Sequence, residues 1–445
     1  MTARRLRAFL ALVVVVSLGC RAKAKPTSHT ELSFIEDDYD GALRRARAEK
    51  RPLFVDAWAP WCHTCLSMKA YVFNDPLLVP IASQFVWAAV DTEKKTSEGF
   101  LRKFAMQNWP TLWVIDSATE KPILKWAGSA TASELAMLLE SVTLQRSSDS
   151  SKAAEAAASW LRGNREAAED RRDAAIVEYQ NALARAPSNW SGRGRVVEAL
   201  ALQLQASERS AECSELAVRE WPKVPPGTSR LNVVLSGLGC GDALPKDAPL
   251  RNELPALVRE ATRIVTSPAE PVLADDRSSL FEQLVLSHRS NGNEPEALAI
   301  GRAWGRFLEN EAARAANPIA RAVFDSHRLL AYEAIREPQK AIPMLEQSAR
   351  DFPDDYNAPI RLAKVYLDLG RLDEALAASR RAEAKVYGPR TLRVLSMQAD
   401  ILLAMERPDE AKQVLLRAVS LGEKLELPGG YRQLLDQLRR RTAGL

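Results

Sequence analysis

The chain has 445 residues, 46% of them hydrophobic, which is enough for two or three domains because a single hydrophobic core stops growing well below this size. Its 61 basic and 57 acidic residues leave a formal charge of +4. Such a balance creates no strong field for nucleic acid or anionic lipid, so nucleic acid is not an expected partner.

The first twenty residues have the pattern of an export signal. Three arginines precede an apolar run, Ala8 to Leu18, that is too short for a stable membrane-spanning helix. Ser17-Leu18-Gly19-Cys20 resembles the lipobox of bacterial lipoproteins, and this resemblance implies a signal peptide over residues 1–20 and a lipid anchor on Cys20. Cleavage after Ala22-Lys23-Ala24, a small-x-small site, is the alternative. Both cleavage sites predict a mature protein on the periplasmic side of a bacterial cell envelope, where disulfides persist.

Residues 32–146 predict an α/β domain, after a polar stretch at 21–31 that is typical of a flexible tether. Short apolar runs alternate there with helical patterns, which predicts a mixed sheet flanked by helices. The predicted elements are strands over 53–59, 85–91, 111–116 and 122–126, and helices over 37–50, from about Cys62 to Tyr71, over 99–106 and over 131–145.

The rest of the chain predicts an all-α region. Residues 147–153 have the composition of a linker, and no strand-like run follows it. Helical phrases headed by Ala341, Ala375 and Ala411 recur at spacings of 34 and 36, so residues 154–445 resemble tetratricopeptide repeats, most clearly over 325–425. The proline-rich stretch from Trp221 to Pro271 fits no unit well, which predicts an interrupted or divergent array there.

The cysteine spacing singles out Cys62-His63-Thr64-Cys65 as a redox-active dithiol or disulfide. Two cysteines with two residues between them close a small ring, which suits reversible exchange. Cys62 stands at a predicted helix start, where backbone N–H groups and a protonated His63 favour its thiolate. Cys62 is therefore the predicted nucleophile and Cys65 the resolving thiol. Whether Cys213 and Cys240 pair stays open, because helical spacing does not show whether their Cα atoms approach.

The segment Val55-Asp56-Ala57-Trp58-Ala59-Pro60-Trp61-Cys62 resembles the active-site strand of the thioredoxin superfamily. Trp109-Pro110-Thr111 is similar to that family's cis-proline segment, and Tyr71 to Pro76 is most similar to the C-terminal domain of the DsbD family of thiol:disulfide interchange proteins. The resemblance implies a thioredoxin fold, with Asp56 as a buried proton carrier beneath the disulfide. It also implies substrate contacts at Trp61, His63, Trp109 and Pro110.

Two departures leave the direction of electron transfer open. Trp109 is bulkier than the residue that usually precedes the proline, and His-Thr between the cysteines matches neither reducing thioredoxins nor the strong periplasmic oxidant. We expect a thiol-disulfide oxidoreductase with protein substrates, a redox partner protein and a further protein partner on the repeats. We expect no cofactor and no metal site, since no second CxxC completes a zinc site. A redox-silent scaffold, with the thioredoxin fold as a docking module, is the alternative.

Overall fold

The computed structural model describes residues 32–106, 108–144, 151–187, 190–427 and 429–445. The predicted signal peptide, the lipidation candidate Cys20 and the predicted tether lie outside the described residues. Positions 145–150, which hold most of the predicted linker, lie outside them too.

The N-terminal part is an α/β domain built on one mixed five-stranded sheet. The strand order is β1-β3-β2-β4-β5, with β3 parallel to both β1 and β2, and with β4 antiparallel to β2 and β5. The central strand is buried along nearly its whole length, because helices cover both faces of the sheet. The elements are β1 Phe34–Glu36, α1 Tyr39–Glu49, β2 Leu53–Trp58, α2 His63–Ser67, α3 Val79–Ala82, β3 Val86–Asp91, α4 Glu98–Lys103, β4 Thr111–Ile115, β5 Pro122–Ala127 and α5 Ala132–Leu144.

The remainder is helical in every described part. Ala341, Ala375 and Ala411 are fully buried near the start of every second helix, where small side chains let neighbouring helices approach closely. The helices are α6 Lys152–Ala168, α7 Arg172–Arg185, α8 Arg193–Ala206, α9 Ser210–Glu220, α10 Thr228–Asp242, α11 Leu254–Thr266, α12 Ala274–Ser290, α13 Glu294–Arg314, α14 Pro318–Ala322, α15 Asp325–Ala334, α16 Ala341–Asp351, α17 Asn357–Asp368, α18 Leu372–Glu383, α19 Arg390–Ala404, α20 Pro408–Gly422 and α21 Gly429–Ala443.

The proline-rich stretch from Trp221 to Pro271 contains α10 and α11. Pro222, Pro249 and Pro255 stand in the first turns of short or regular helices, where a missing backbone N–H costs little. Helical structure therefore continues through this stretch.

The two parts share one apolar core. Phe54 and Trp126 on one face of the sheet belong to the same buried cluster as Trp160 and Tyr179 of the first two helices after α5. The opposite face has its own cluster around Val55 and Trp113. The helical region is thus packed against the sheet, which fixes its position relative to the dithiol. Among the described residues, no helix combines the length and the apolar character needed to cross a bilayer.

Candidate dithiol site

Cys62 and Cys65 are joined by a disulfide at the start of α2. The bond is 2.05 Å long and the Cα atoms are 5.2 Å apart. Cys62 is the N-cap of the helix, and the backbone N–H of Cys65 donates a hydrogen bond to its sulfur at 3.0 Å. Such a donor would stabilise negative charge on that sulfur in the reduced protein. The exposed fraction is 4% for Cys62 and 0% for Cys65, so protein surrounds both sulfurs.

Asp56 lies on the central strand β2, six residues before Cys62, and is fully buried. Neither carboxylate oxygen has a hydrogen-bond partner among the described residues. Burial raises the pKa of Asp56 to about 7, although the positive charge of Lys69 opposes the rise. The Lys69 ammonium lies 3.3 Å from the centre of the Trp58 ring. Asp56 can therefore gain or lose a proton near neutral pH, as a proton carrier requires.

Two tryptophans stand beside the disulfide. Trp61 and Trp109 pack with the two cysteines, and their ring centres are 5.1 Å apart. The Trp109–Pro110 peptide bond is cis, and the backbone N–H of Gly128 donates to the Pro110 carbonyl at 2.9 Å. The two indoles thus shield the sulfurs on the side of the cis-proline segment.

The helical region reaches this side of the site through Glu93. This buried carboxylate accepts hydrogen bonds from the Trp61 indole N–H at 2.9 Å, the Tyr431 hydroxyl at 3.0 Å and the backbone N–H of Arg390 at 2.8 Å. Tyr431 and Arg390 belong to α21 and α19, so the last repeats hold the tryptophan next to Cys62. A cleft of about 1260 Å³ opens here between α4 and these helices, with Trp61 and Trp109 in its lining.

The helical region also touches the two residues between the cysteines. His63 Nδ1 lies 2.9 and 3.0 Å from the two carboxylate oxygens of Asp275, in the first turn of α12. The Thr64 hydroxyl donates to the same carboxylate at 2.9 Å. The ring of His327, from α15, lies 3.9 Å from the His63 ring. A buried carboxylate more than two hundred residues away thus contacts the CxxC segment directly.

Burial and mutual contacts affect the ionisation of His63, Asp275 and His327 differently. Burial opposes a charge on His63, but the negative charge and hydrogen bond of Asp275 outweigh it and raise the pKa of His63. Burial also opposes the charge of Asp275, and His63 reverses the effect, so the pKa of Asp275 is lowered. For His327, burial and the neighbouring His63 charge lower the pKa to about 3. These shifts favour an imidazolium–carboxylate pair of His63 and Asp275 beside a neutral His327.

One more contact fixes the chain just before the dithiol. The side-chain amide of Asn357, in α17, donates to the Pro60 carbonyl at 3.1 Å. Helices α12, α15, α17, α19 and α21 thus all contribute residues around the CxxC segment.

Comparisons with known proteins agree with this geometry. Residues 34–117 match a family model described as thioredoxin-like. The N-terminal domain is thioredoxin-like. Models of the tetratricopeptide repeat match residues 336–390 and 392–424, which cover α16 to α20. The predicted fold class is confirmed, and so are the predicted resemblances to the thioredoxin superfamily and to tetratricopeptide repeats.

The similar curated proteins are thiol:disulfide interchange proteins DsbD. The protein from Pseudoalteromonas atlantica is 29% identical over 93 residues, which are 20% of this chain and 16% of that protein. The protein from Vibrio vulnificus is 27% identical over 104 residues, 20% of this chain and 18% of that protein. The chain thus spans less than a fifth of the length of these relatives. Among solved structures, a tetratricopeptide repeat protein from Parabacteroides merdae is similar over 65% of this chain and 99% of its own length, at 11% sequence identity and a TM-score of 0.41.

The structure brings four of the candidate residues of the thioredoxin-like domain into contact. Cys62, Cys65, Trp61 and Trp109 form one small cluster. Cys213 and Cys240, whose pairing the sequence left open, are joined by a second disulfide between α9 and α10, with their Cα atoms 6.1 Å apart.

Sequence reasoning did not find the residues that the helical region contributes. Asp275, His327 and Asn357 come from three different helices, and none lies near the CxxC in sequence. The pair Asp275-Asp276 has the ordinary pattern of acids in the first turn of a helix, where they complement the helix dipole. The sequence holds no signal that distinguishes these acids from solvated ones.

One group among the described residues could approach a shared metal ion: His63, Asp275 and His327. Each offers one ligand atom, and these atoms lie within 4.8 Å of one another. Their contacts do not suit that role. Both oxygens of Asp275 already accept hydrogen bonds from His63 and Thr64. The positive charge of Arg361, in α17, disfavours a proton on either histidine, and it would repel a metal cation there for the same reason. The geometry fits a hydrogen-bonded ion pair and not a metal site.

Proposed function

We propose that this protein is an exported thiol-disulfide oxidoreductase that exchanges electrons with protein substrates through Cys62 and Cys65. One observation carries the proposal. The disulfide caps a helix in a thioredoxin-like domain that also holds a buried Asp56 with a pKa of about 7. A buried carboxyl that titrates near neutral pH suits a proton-transfer role and is costly in a purely structural one.

In the reducing direction, the Cys62 thiolate attacks one sulfur of a client disulfide. A bond forms between Cys62 and that sulfur, and the client disulfide breaks to release the first client thiolate. Cys65 then gives its proton to the Asp56 carboxylate and attacks the sulfur of Cys62. The Cys62–Cys65 disulfide forms, the second client thiolate leaves, and two electrons have passed to the client. The reverse sequence oxidises a client dithiol.

We further propose that the tetratricopeptide repeats hold a client or a redox partner protein close to the dithiol. The cleft between α4 and the last repeats supports this, because Trp61 and Trp109 line it and also pack against the cysteines. Repeat arrays commonly present extended surfaces to protein partners. The lipobox-like sequence ending at Cys20 supports attachment to the bacterial envelope on the periplasmic side.

The test is a trapping experiment with the full chain. In Cys65→Ser, Cys62 can attack a client but cannot be released by its neighbour, so mixed disulfides should accumulate in cell envelopes. Cys62→Ser/Cys65→Ser is the matched control, which should trap nothing. Absence of trapped clients from the single variant would contradict the proposal.

The direction of transfer follows from the equilibrium between the full chain and glutathione. A reduction potential near about −270 mV would make the protein an electron donor that needs an upstream reductant. A potential near about −120 mV would make it an oxidant of newly exported thiols.

A redox-silent scaffold is the second candidate, and one observation favours it. Both sulfurs are buried, and the helical region contacts the residues between them. A scaffold would keep its cellular phenotype in Cys62→Ser, whereas an oxidoreductase would lose it.

A further inference from the structure

We propose that Asp275 of the helical region is a positioning residue for the dithiol: its carboxylate holds His63 as an imidazolium, and this cation stabilises the Cys62 thiolate of the reduced protein. The repeats would then help to set the reduction potential of the site, besides binding a partner. The inference rests on the proposed function, because it concerns the exchange chemistry of Cys62.

The geometry is that of a directed ion pair. His63 Nδ1 is within hydrogen-bond distance of both Asp275 oxygens, at 2.9 and 3.0 Å, and the Thr64 hydroxyl fixes one of them at 2.9 Å. The Asp275 side chain is fully buried, while that of His63 keeps 30% of its exposure. A buried carboxylate needs such donors, since an unpaired one would take up a proton. Its place in the first turn of the 17-residue helix α12 further favours the ionised form.

The groups around His63 determine where the proton resides. Asp275 and Glu282 of α12 favour the imidazolium, whereas Arg361 of α17 disfavours it. His327 of α15 is the competing base, but its pKa of about 3 keeps it neutral. Its Nδ1 lies 3.8 Å from Asp275, beyond a hydrogen bond, and has no partner among the described residues. The proton that charges an imidazole in this cluster therefore resides on His63 and not on His327.

Reduction creates a second anion, on the residue that precedes His63 in the chain. Breaking the Cys62–Cys65 bond takes up two electrons, and one proton if Cys62 stays a thiolate while Cys65 becomes a thiol. His63 follows Cys62 directly in the chain and is hydrogen-bonded to Asp275, so its imidazolium can act on both anions. Because an adjacent cation lowers the pKa of a cysteine thiol, Asp275 acts on Cys62 through His63 and makes the disulfide more oxidising.

The sign of the effect separates this role from a direct one. If Asp275 acted on the thiolate by its own negative charge, its removal would lower the pKa of Cys62 and make the disulfide more oxidising. If Asp275 acts through His63 instead, its removal must raise the pKa of Cys62 and make the disulfide less oxidising.

The experiment compares wild type, Asp275→Asn, His63→Gln and the double variant as full chains. For each, we would measure the equilibrium constant with glutathione and the pKa of Cys62 from its thiolate absorbance. We expect Asp275→Asn to make the disulfide about tenfold less oxidising, or about 30 mV. In the His63→Gln background the same substitution should change nothing further, because the two residues act as one unit.

Asp276→Asn is the matched control. Asp276 is the next residue of α12, is buried, and accepts a hydrogen bond from Ser129 of the thioredoxin-like domain at 2.6 Å. Burial and the charge of Asp275 raise the pKa of Asp276 to about 8, so its neutral form already dominates at neutral pH. We expect this variant to leave the potential unchanged. An equal shift in both variants would mean that docking of the helical region sets the potential, and would overturn the proposal.

A measurement on wild type makes the test independent of variant folding. The His63 ring, followed by NMR, should keep its proton above about pH 6.5, where a free histidine loses it. Titration at or below that pH would overturn the proposal, as would an unchanged or more oxidising Asp275→Asn, or a wild-type potential that shifts when a metal chelator is added. If wild-type Cys62–Cys65 could not be reduced at all, the proposed function itself would fail.

Discussion

The two disulfides of this protein differ in their surroundings and not in their exposure. Cys62–Cys65 links residues three apart in the thioredoxin-like domain, and Cys213–Cys240 links residues 27 apart in the helical region. The exposed fractions are 4% and 0% for the first pair, and 0% and 2% for the second. Solvent exposure alone therefore cannot tell a reactive pair from a structural one in this chain.

Ionisable neighbours make the difference. Cys213 and Cys240 belong to the large apolar cluster of the helical region. Cys62 and Cys65 follow the strand that carries Asp56, a buried carboxyl with a pKa of about 7, and they flank His63, which is held by a buried carboxylate. Apolar surroundings hinder thiolate formation, whereas fixed donors and cations favour it. This contrast supports the proposal that the first pair carries out exchange chemistry, and it suits the second pair to a stabilising role.

The largest expected effect concerns activity. Cys62→Ser should reduce the exchange of disulfides with model protein substrates to the uncatalysed rate, because it removes the attacking thiolate. The paired variant Cys213→Ser/Cys240→Ser, assayed where it is folded, should keep the wild-type rate. Equal losses in both variants would contradict the assignment of chemistry to one pair.

Asp56→Asn should change the pH dependence of stability. The pKa of Asp56 rises on folding to about 7, so the native state keeps its proton while the unfolded state loses it near pH 4. Asp56 should therefore cost wild type up to about 4 kcal/mol of stability between about pH 4 and pH 7, and little more above that. In Asp56→Asn the part of this loss that Asp56 causes should be absent.

Denaturant unfolding at a series of pH values measures the difference. The advantage of Asp56→Asn over wild type should grow from acid to neutral pH and then level off. The variant should also resolve mixed disulfides more slowly, because Cys65 has lost its proton acceptor. A constant difference across this range would mean that Asp56 is not a titrating buried acid.

Removal of the Cys213–Cys240 disulfide should lower the stability of the protein but leave the redox properties of Cys62–Cys65 unchanged. The bond links residues 27 apart, so Cys213→Ala/Cys240→Ala should lose about 3.5 kcal/mol of unfolding free energy. Thermal unfolding of the oxidised wild type and of the variant measures this loss. The reduction potential of Cys62–Cys65 should not change, and a shift would show that the two pairs are coupled.

The sequence was sufficient for the parts of the molecule that are determined locally. The apolar run 53–59 predicts β2, because a strand buried on both faces needs such a run, and it is observed at Leu53–Trp58. The strand β1 was not predicted, since three residues are too few to show a pattern. The helical repeats could be predicted because their small buried residues recur at a fixed spacing.

The helical half of the candidate site could not be predicted from the sequence. Asp275 occupies an ordinary position for an acid at a helix start, and only the packing of α12 against the CxxC segment buries it and pairs it with His63. His327 and Asn357 are single polar residues in amphipathic helices, with no motif around them. Which residues meet across such distances depends on how the repeats pack against the sheet, and periodicity carries no information about that.

The smallest expected effect tests whether the helical region limits access to Cys62. Asn357→Ala removes the hydrogen bond to the Pro60 carbonyl, which is worth about 1 kcal/mol. If local separation of α17 from this segment exposes Cys62, dithiothreitol should reduce Cys62–Cys65 about fivefold faster in the variant. Cys213–Cys240 in the same molecule is the internal control, and its reduction rate should not change. Equal acceleration of both bonds would indicate global destabilisation, whereas no acceleration would show that reductants reach Cys62 by another route, such as the cleft beside Trp61 and Trp109.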